Sequence, residues 1–558
     1  MNGARLLYFC VGAVLIYLVV PPILILFKTS LSIGGGIPET YSIDNYRSVL
    51  VSSNLAKLAG NSLKFASGTS LLGLIFGSVL AYLVERTNTP FKALTYLSAF
   101  ITLSVPYVIW TIGWIFLLNI RNGVINVWLK TIFGLSSAPF DIFTMQGMIL
   151  VDGVQATAVA FLLMAVQLRS MDPGLEEAAA ISGAGQWQIL WRITIRLSLP
   201  ALLAAFLVVF VRAIEAFETP ALLGLPGGVH VLTTEIYQKI RVGAFPDYGL
   251  ASAYGVLMIV VASIGIYGYS RATQEAGRFA IITGKGYKPR VADLGALRYL
   301  TAGVVLILPA IVSMPPVIIT WASFQRFYQL PSAAAMKTLT LANYVSVLDR
   351  EDVRAAITNS VVTAVAAATF AVLVTTAVAW LLARTKLPGR SALDHLVSTP
   401  LALPGIVLGL AILKMYLVVP IPVYGTVWLL IIAHVTRSLP FAMRYAYAGL
   451  IQIHKELEES AQLSGAPGLV VFRRILFPLL LPALFGGWVW VFLTTIRELP
   501  MTLMLVGPNS QMLASIIFDL WSGGQLLDMA AFSVIVTACF VILAYVLWRV
   551  SERWGIRF

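Results

Sequence analysis

Runs of about twenty mostly apolar residues recur along this chain, and that is the length a helix needs to cross roughly 30 Å of hydrocarbon. The candidate spans are 6–27, 62–84, 94–118, 146–168, 199–222 and 249–269, then 299–322, 359–383, 396–418, 427–449, 480–505 and 528–548. Of 558 residues 59% are hydrophobic and only 11% charged, where a soluble domain carries about 25% charge. The chain is therefore read as an all-α integral membrane protein. Its first run follows Arg5 but extends to Phe27 without a small-residue cleavage pattern, so it is read as a span and not as a secretory signal.

The net charge of +13 does not point to nucleic acid, because the basic residues gather in short connections between apolar runs. Arg86 and Lys92, then Arg169, Arg192 and Arg196, then Arg271, Arg278, Lys285, Lys288, Arg290 and Arg298 fall on one side if the amino terminus is cytoplasmic. Arg384, Lys386 and Arg390, then Lys455, Arg473 and Arg474, then Arg549, Arg553 and Arg557 fall on the same side. By the positive-inside rule both termini are expected in the cytoplasm. Lys28, Arg47, Lys57, Arg121, Lys130, Lys239 and Arg241 lie opposite. Cys10 and Cys539 sit in apolar runs and read as small hydrophobes, leaving no disulfide framework.

The sequence also repeats itself. Asn45-Tyr46, Asn61-Ser62, Arg86-Thr87, Pro90 and Pro106 return 298 positions later as Asn343-Tyr344, Asn359-Ser360, Arg384-Thr385, Pro388 and Pro404. Glu177-Ala178-Ala179, Gly183, Ile193 and Pro200 return 282 positions later as Glu459-Ser460-Ala461, Gly465, Ile475 and Pro482. With about six spans per copy, an even number, the two copies must run parallel in the membrane, unlike inverted repeats. The expected division is a first helix and outer segment (1–56), first repeat domain (57–269), cytoplasmic linker (270–298), seventh helix and outer segment (299–358), second repeat domain (359–548) and cytoplasmic tail (549–558).

The polar part of the repeat has its own physical logic. Asp172 is a good N-cap and Pro173 suits the first helical position, where its missing N–H is not needed. A short helix through Glu176, Glu177 and the alanines should follow, broken at Gly183. A second short helix should place Trp187, Leu190 and Trp191 on one face before proline leads into the next span. The second copy keeps Glu458-Glu459 and Gly465-Ala466 with Leu469, Phe472 and Leu476, and adds Arg473-Arg474. Two such polar knobs are docking surfaces for something outside the bilayer, or else ordinary amphipathic loops at its surface.

The pattern resembles the EAA loop of permease subunits in binding-protein-dependent ABC importers: Glu-Ala-Ala, a glycine six residues after the glutamate, then Ile and prolines. The resemblance covers about 61–269 and again 359–548. It implies the MetI-like ABC permease fold, about twelve transmembrane helices in two parallel six-helix repeats, in a bacterial inner membrane. It further implies that Glu177, Ala178, Ala179 and Gly183, with Glu459, Ser460, Ala461 and Gly465, couple to two ATP-binding cassette subunits. A solute-binding protein would deliver the cargo, and ATP binding would switch the halves from inward-open to outward-open. Arg196 where the second copy has Pro478, and Ser460 for the middle alanine, depart from the family pattern.

No phosphate loop is present: Gly284-Lys285 is followed by Gly286, and Phe279 stands where the first glycine should be. His230, His395, His434 and His454 are scattered, and no metalloprotease or serine-hydrolase motif occurs. The chain is thus read as a transport subunit and not an enzyme, with ATP and magnesium bound by its partners. For the path, Arg212, Glu215 and Glu218 match Arg497 and Glu498, with Glu218 and Glu498 280 positions apart. Two readings stand for these intramembrane charges: carboxylates lining a cation path, or local neutralisation, since Arg212 and Glu215 are i, i+3 neighbours. Tyr107 and Tyr237 are conceivable oxygen ligands for ferric iron or interfacial belt residues. Asp152 and His434, in the two fourth spans, read as packing or hydrogen-bonding residues.

The phrases Glu215-Ala216-Phe217-Glu218-Thr219-Pro220 and Arg497-Glu498-Leu499-Pro500-Met501-Thr502 look like those of fused ferric-iron permeases, although permeases for thiamine, polyamines, sulfate or aminophosphonate share the layout. A secondary transporter driven by an ion gradient is the rival from another class; it would use the same carboxylates as a proton or sodium relay.

Overall fold

The computed structural model describes residues 2–33, 40–51, 53–172, 174–242, 245–279 and 291–553. Pro173, Lys285, Lys288, Arg290 and Arg557 lie outside them. The first half is built from α1 (Asn2–Ser30), α2 (Ser53–Arg86), α3 (Lys92–Ser104), α4 (Tyr107–Leu118), α5 (Met145–Ser170), α6 (Gly174–Ile181), α7 (Gln186–Glu215) and α8 (Tyr248–Phe279). The second half repeats the order: α9 (Leu297–Ser323), α10 (Glu351–Arg384), α11 (Arg390–Ser398), α12 (Gly405–Val418), α13 (Val427–Ile451), α14 (Lys455–Leu463), α15 (Phe472–Arg497), α16 (Pro500–Leu505) and α17 (Leu526–Arg553). A two-residue antiparallel ribbon, Ser32–Ile33 with Thr40–Tyr41, follows α1. Among the described residues nine helices are long and apolar enough to cross a membrane, and two bent pairs raise this to eleven. Helix α13, which starts 282 positions after α5, is the remaining equivalent.

The expected single spans at 94–118 and 396–418 are each broken. α3 and α4 meet at 107°, and α11, with its terminal turn, meets α12 at 110°. The cause is Pro106 and Pro404, because a proline bars its preceding residue from the helical region. Val105 and Leu403 accordingly take extended backbone, at ψ 130° and 110°.

The spans expected at 199–222 and 480–505 also differ. Each helix begins earlier, at Gln186 and Phe472, so the second helix of each knob runs directly into the membrane through a π-turn. Each also ends earlier, at Glu215 and Arg497. The chain then re-enters in short turns at Pro220–Gly224 and Pro500–Leu505, where proline can start a helix because its first N–H needs no partner.

The halves exchange their first helices. Leu15 and Val19 of α1 pack with Val378 and Leu381 of α10 and with Leu393 and Val397 of α11, all in the second half. Conversely, α9 packs on α4 and α3 of the first half. Within the first half α2 lies close along α5, because Gly73 and Gly77 face Ala156 and Ala160. Small residues at i, i+4 let backbones approach where lipid supplies no hydrophobic drive.

Candidate functional site

The two knobs lie at the same end of the bundle and share one construction. In the first, Asp172 Oδ1 accepts the N–H of Gly174 at 2.8 Å, starting α6. Gly183 closes it at φ +86°, with its N–H to Ala180 O and that of Ala184 to Ala179 O, both 3.0 Å. In the second, Gly465 sits at φ +83° with the same pair of bonds, to Gln462 O and Ala461 O. A side chain at that backbone angle is strained, which is why both copies carry glycine there. Glu177 and Glu459 are exposed, as are Ala178 and Ser460, while Ala179 and Ala461 are half-buried. Trp187 and Trp191 form an exposed edge-to-face pair 5.7 Å apart.

Each knob is anchored by the preceding glutamate, which sequence reasoning missed. Glu176 is buried, takes a hydrogen bond from Thr194 Oγ1 at 2.6 Å, and pairs with Arg86 at 3.2 Å. Arg86 also donates to Met171 O at 3.1 Å. Glu458 is likewise buried and pairs with Arg384 at 2.5 Å, and Arg384 donates to Ile453 O at 2.8 Å. The signal is in the sequence: Arg86-Thr87 and Arg384-Thr385 match at an offset of 298, and both copies carry a Glu-Glu doublet. The partnership joins residues far apart in sequence, so no local spacing shows it.

At the centre, between the halves, are two adjoining cavities. The one further from the knobs, about 290 Å³, is lined by Asp152, Glu218, Glu498, His434 and others. The one nearer the knobs, about 890 Å³, is largely apolar, and its charges are Arg212, Arg437, Arg444, Arg497 and a single carboxylate, Glu215. Tyr107, Arg212, Glu215, Arg437 and Arg497 line both. Among the described residues no three His, Cys, Asp or Glu side chains are grouped closely enough to hold a metal ion.

The expected local pair of Arg212 and Glu215 is not formed. Arg212 donates to Gln155 Oε1 at 3.3 Å and lies 4.5 Å over the Tyr107 ring. Glu215 instead pairs with Arg437 of the other half at 3.0 Å. Helix neighbours compete poorly here because both side chains point into an interface that offers partners. Arg497 also faces Tyr107, at 5.8 Å, so that ring has a guanidinium for each of two neighbours.

The two breaks explain where the remaining arginine hydrogen bonds go. A helix end leaves carbonyls without partners, and cations are favoured there. Arg497 Nη1 donates to Leu103 O and Arg437 Nη1 to Leu403 O, next to the breaks at Pro106 and Pro404. Glu498 Oε1 accepts the N–H of Met501 at 2.8 Å and Oε2 that of Thr502 at 3.0 Å, capping α16. His434 Nε2 is 3.5 Å from Thr502 Oγ1. Tyr237 packs against Phe217 and Phe518 and lines neither cavity. Arg437, inside an expected span, is the cavity-lining charge that sequence reasoning passed over; its charge within an apolar run is the clue.

Residues 73–271 and 371–554 match the family model of the binding-protein-dependent transport system inner membrane component. The ferric transport system permease protein FbpB of Actinobacillus pleuropneumoniae is 25% identical over 524 residues, covering 92% of this chain and 74% of its own length. The molybdenum transport system permease protein ModB of Escherichia coli is 29% identical over 183 residues, 32% of this chain and 77% of its own length. A solved bacterial ABC transporter involved in import of the acidic polysaccharide alginate aligns with 50% of this chain and 98% of its own, at 18% identity and a TM-score of 0.41.

Proposed function

The chain belongs to the family of binding-protein-dependent transport system inner membrane components, and from that premise we propose that it is the fused transmembrane subunit of an ATP-driven importer of ferric iron. The observation that carries the reading is the pair of knobs, each presenting an exposed Glu177 or Glu459 from a short helix pinned by a buried Arg–Glu pair. A helix held so firmly to the bundle transmits force, where a loose surface loop would not. Two ATP-binding cassette subunits dock there, holding the ATP and magnesium, and both termini are cytoplasmic. A solute-binding protein delivers cargo at the other end. A partner moves the halves only as far as it favours one packing over the other.

Ferric iron is assigned from similarity to FbpB along nearly the whole chain; at the entry-side cavity Asp152 and Glu218 are the carboxylates left for a hard cation, since Glu498 caps α16. Iron is the cargo here and contacts these groups in passing. One observation favours a second reading, an oxyanion importer: four arginines against one carboxylate line the larger cavity. Uptake assays in proteoliposomes containing this chain, its ATPase subunits and its binding protein separate the two. ATP-dependent entry of labelled ferric iron is expected. Entry of molybdate or aminophosphonate instead would move the assignment to the second reading, and uptake by this chain alone on an ion gradient would discard both.

A further inference from the structure

The end of the segment joining the halves folds back onto the first knob. Ala292 forms a parallel bridge with Thr87: its N–H donates to Arg86 O at 2.8 Å, and its carbonyl accepts the N–H of Asn88 at 3.1 Å. The Asn88 side chain donates to Asp293 Oδ1 at 2.5 Å and accepts the N–H of Leu294 at 3.1 Å. Gln186, the first residue of α7, donates to Asp293 O at 3.3 Å. Thr89 shares a hydrogen bond of 2.8 Å with Thr301 on α9. Ala292 thereby closes one side of the small cavity where Arg86 and Glu176 meet, which Gln186 also lines. The Gly295 N–H and the Asn88 amide hold the Asp293 carboxyl below the ordinary carboxylate range, so it is ionised at neutral pH.

The second knob lacks the means to be held this way. The positions equivalent to Asn88, Thr89 and Gln186 carry Lys386, Leu387 and Gly468. None of these can copy the contacts: lysine has no acceptor, leucine has no polar group and glycine has no side chain. The Arg384–Glu458 pair is also somewhat less enclosed than its counterpart, with side-chain exposures of 8% and 11% against 2% and 7%.

We propose that the joining segment is a working part of the first coupling knob: Ala292–Leu294 brace α6 and the start of α7 in their docking orientation, which makes the two ATPase-facing knobs mechanically unequal. The inference rests on the docking role given to the knobs above. Asn88, Gln186 and Asp293 act as positioning residues, and the fused chain gains from them a rigidity in its first half that the second half does not share.

The test uses the full chain reconstituted with its ATPase subunits, comparing Asn88→Asp with the double substitution Asn88→Asp, Asp293→Asn. The single change sets two carboxylates face to face and breaks the bond; the second restores it with donor and acceptor exchanged, while giving up the Gly295 N–H that Asp293 Oδ1 also accepts. Amide hydrogen exchange in α6 should quicken at least fivefold in the single variant and return most of the way in the double variant, while that in α14 should not change in either. The stimulation of ATP hydrolysis on assembly should fall about threefold and recover in parallel. Unchanged exchange in α6, or no recovery in the double variant, overturns the brace. Faster exchange with normal ATPase stimulation, in a preparation where Glu459→Lys abolishes that stimulation, overturns its role in coupling. If neither substitution affects stimulation, the docking reading itself fails and takes the proposal with it.

Discussion

Glu215, the last residue of α7 in the first half, and Arg437, midway along α13 in the second, are joined across the interface at 3.0 Å. The internal repeat does not copy this pair. The residue equivalent to Glu215 is Arg497, and the residue equivalent to Arg437 is Gln155. One half thus contributes the acid and the other both bases, and Arg497 satisfies itself on the Leu103 carbonyl of α3 instead. The halves are pseudo-symmetric in fold and asymmetric in the charges that join them.

Glu215→Gln should take the paired counter-charge from the Arg437 guanidinium, leaving it neutral acceptors, the Leu403 carbonyl and the amide oxygen at 215, beside the Glu498 carboxylate. Removing one partner of a buried pair costs about 3–5 kcal/mol, and the 26% exposure of Arg437 to the cavity reduces the expectation to about 1–3 kcal/mol. The variant with both Glu215→Gln and Arg437→Gln should lie closer to the parent than either single change. Thermal unfolding in detergent measures all three, and strict additivity of the two single effects would contradict a direct pairing.

Neighbouring glutamates in each knob should behave in opposite ways. Glu176→Gln strips the counter-charge from Arg86, whose side chain is 2% exposed, and should destabilise the protein by about 3 kcal/mol or more. Arg86→Lys should not rescue the site, since an ammonium cannot reach Glu176 and Met171 O with the same fork. Glu177→Lys should leave unfolding unchanged and weaken capture of the ATPase subunit. A normal melting curve for Glu176→Gln would refute the anchoring role.

Much of this architecture was readable from periodicity alone, and what escaped it did so for physical reasons. Apolar runs locate spans because length and hydropathy are summed over many residues. They do not reveal a sharp break, so 94–118 and 396–418 read as single spans although each contains a proline, Pro106 and Pro404. The glycine turns at Gly183 and Gly465 were legible because a backbone angle is a local property. The Arg86–Glu176 and Glu215–Arg437 pairs were not, because which partner a charge chooses depends on packing between distant segments. The local alternative for Arg212 and Glu215 was sound helix chemistry that the interface overrode.

The contact of α2 with α5 gives a prediction about packing. A Cβ on Gly77 would lie 2.7 Å from both Ala160 Cβ and the Phe161 backbone nitrogen. Gly77→Val should therefore push the helices apart and cost about 1–3 kcal/mol. Adding Ala160→Gly should recover part of the loss only, because the backbone contact persists. On the same helix Gly60→Ala meets nothing within 4 Å and should be neutral or stabilising by about 0.5–1 kcal/mol. Equal melting temperatures for the Gly77 and Gly60 variants would mean that the two helices do not approach as closely as described.

The two matched carboxylates at the entry-side cavity should separate into a structural and a transport role. Both oxygens of Glu498 are committed to the start of α16, through Met501 and Thr502. Glu498→Ala should remove the cap and cost about 0.5–2 kcal/mol, while Glu498→Gln keeps one acceptor oxygen and should retain most of that stability. If the cap is its principal task, ATP-driven uptake by the Glu498→Gln variant should stay within about twofold of the parent, a difference of roughly 0.4 kcal/mol. Glu218, its partner at an offset of 280 in the first half, lines the same cavity and accepts hydrogen bonds from the backbone of Phe217 and Glu218 instead of capping a helix. Glu218→Gln should therefore cut uptake of a cationic cargo by about tenfold or more, some 1.4 kcal/mol, with little change in melting temperature. Uptake and melting recorded on the same preparations decide the matter, and a larger transport loss from Glu498→Gln than from Glu218→Gln would reverse the two roles.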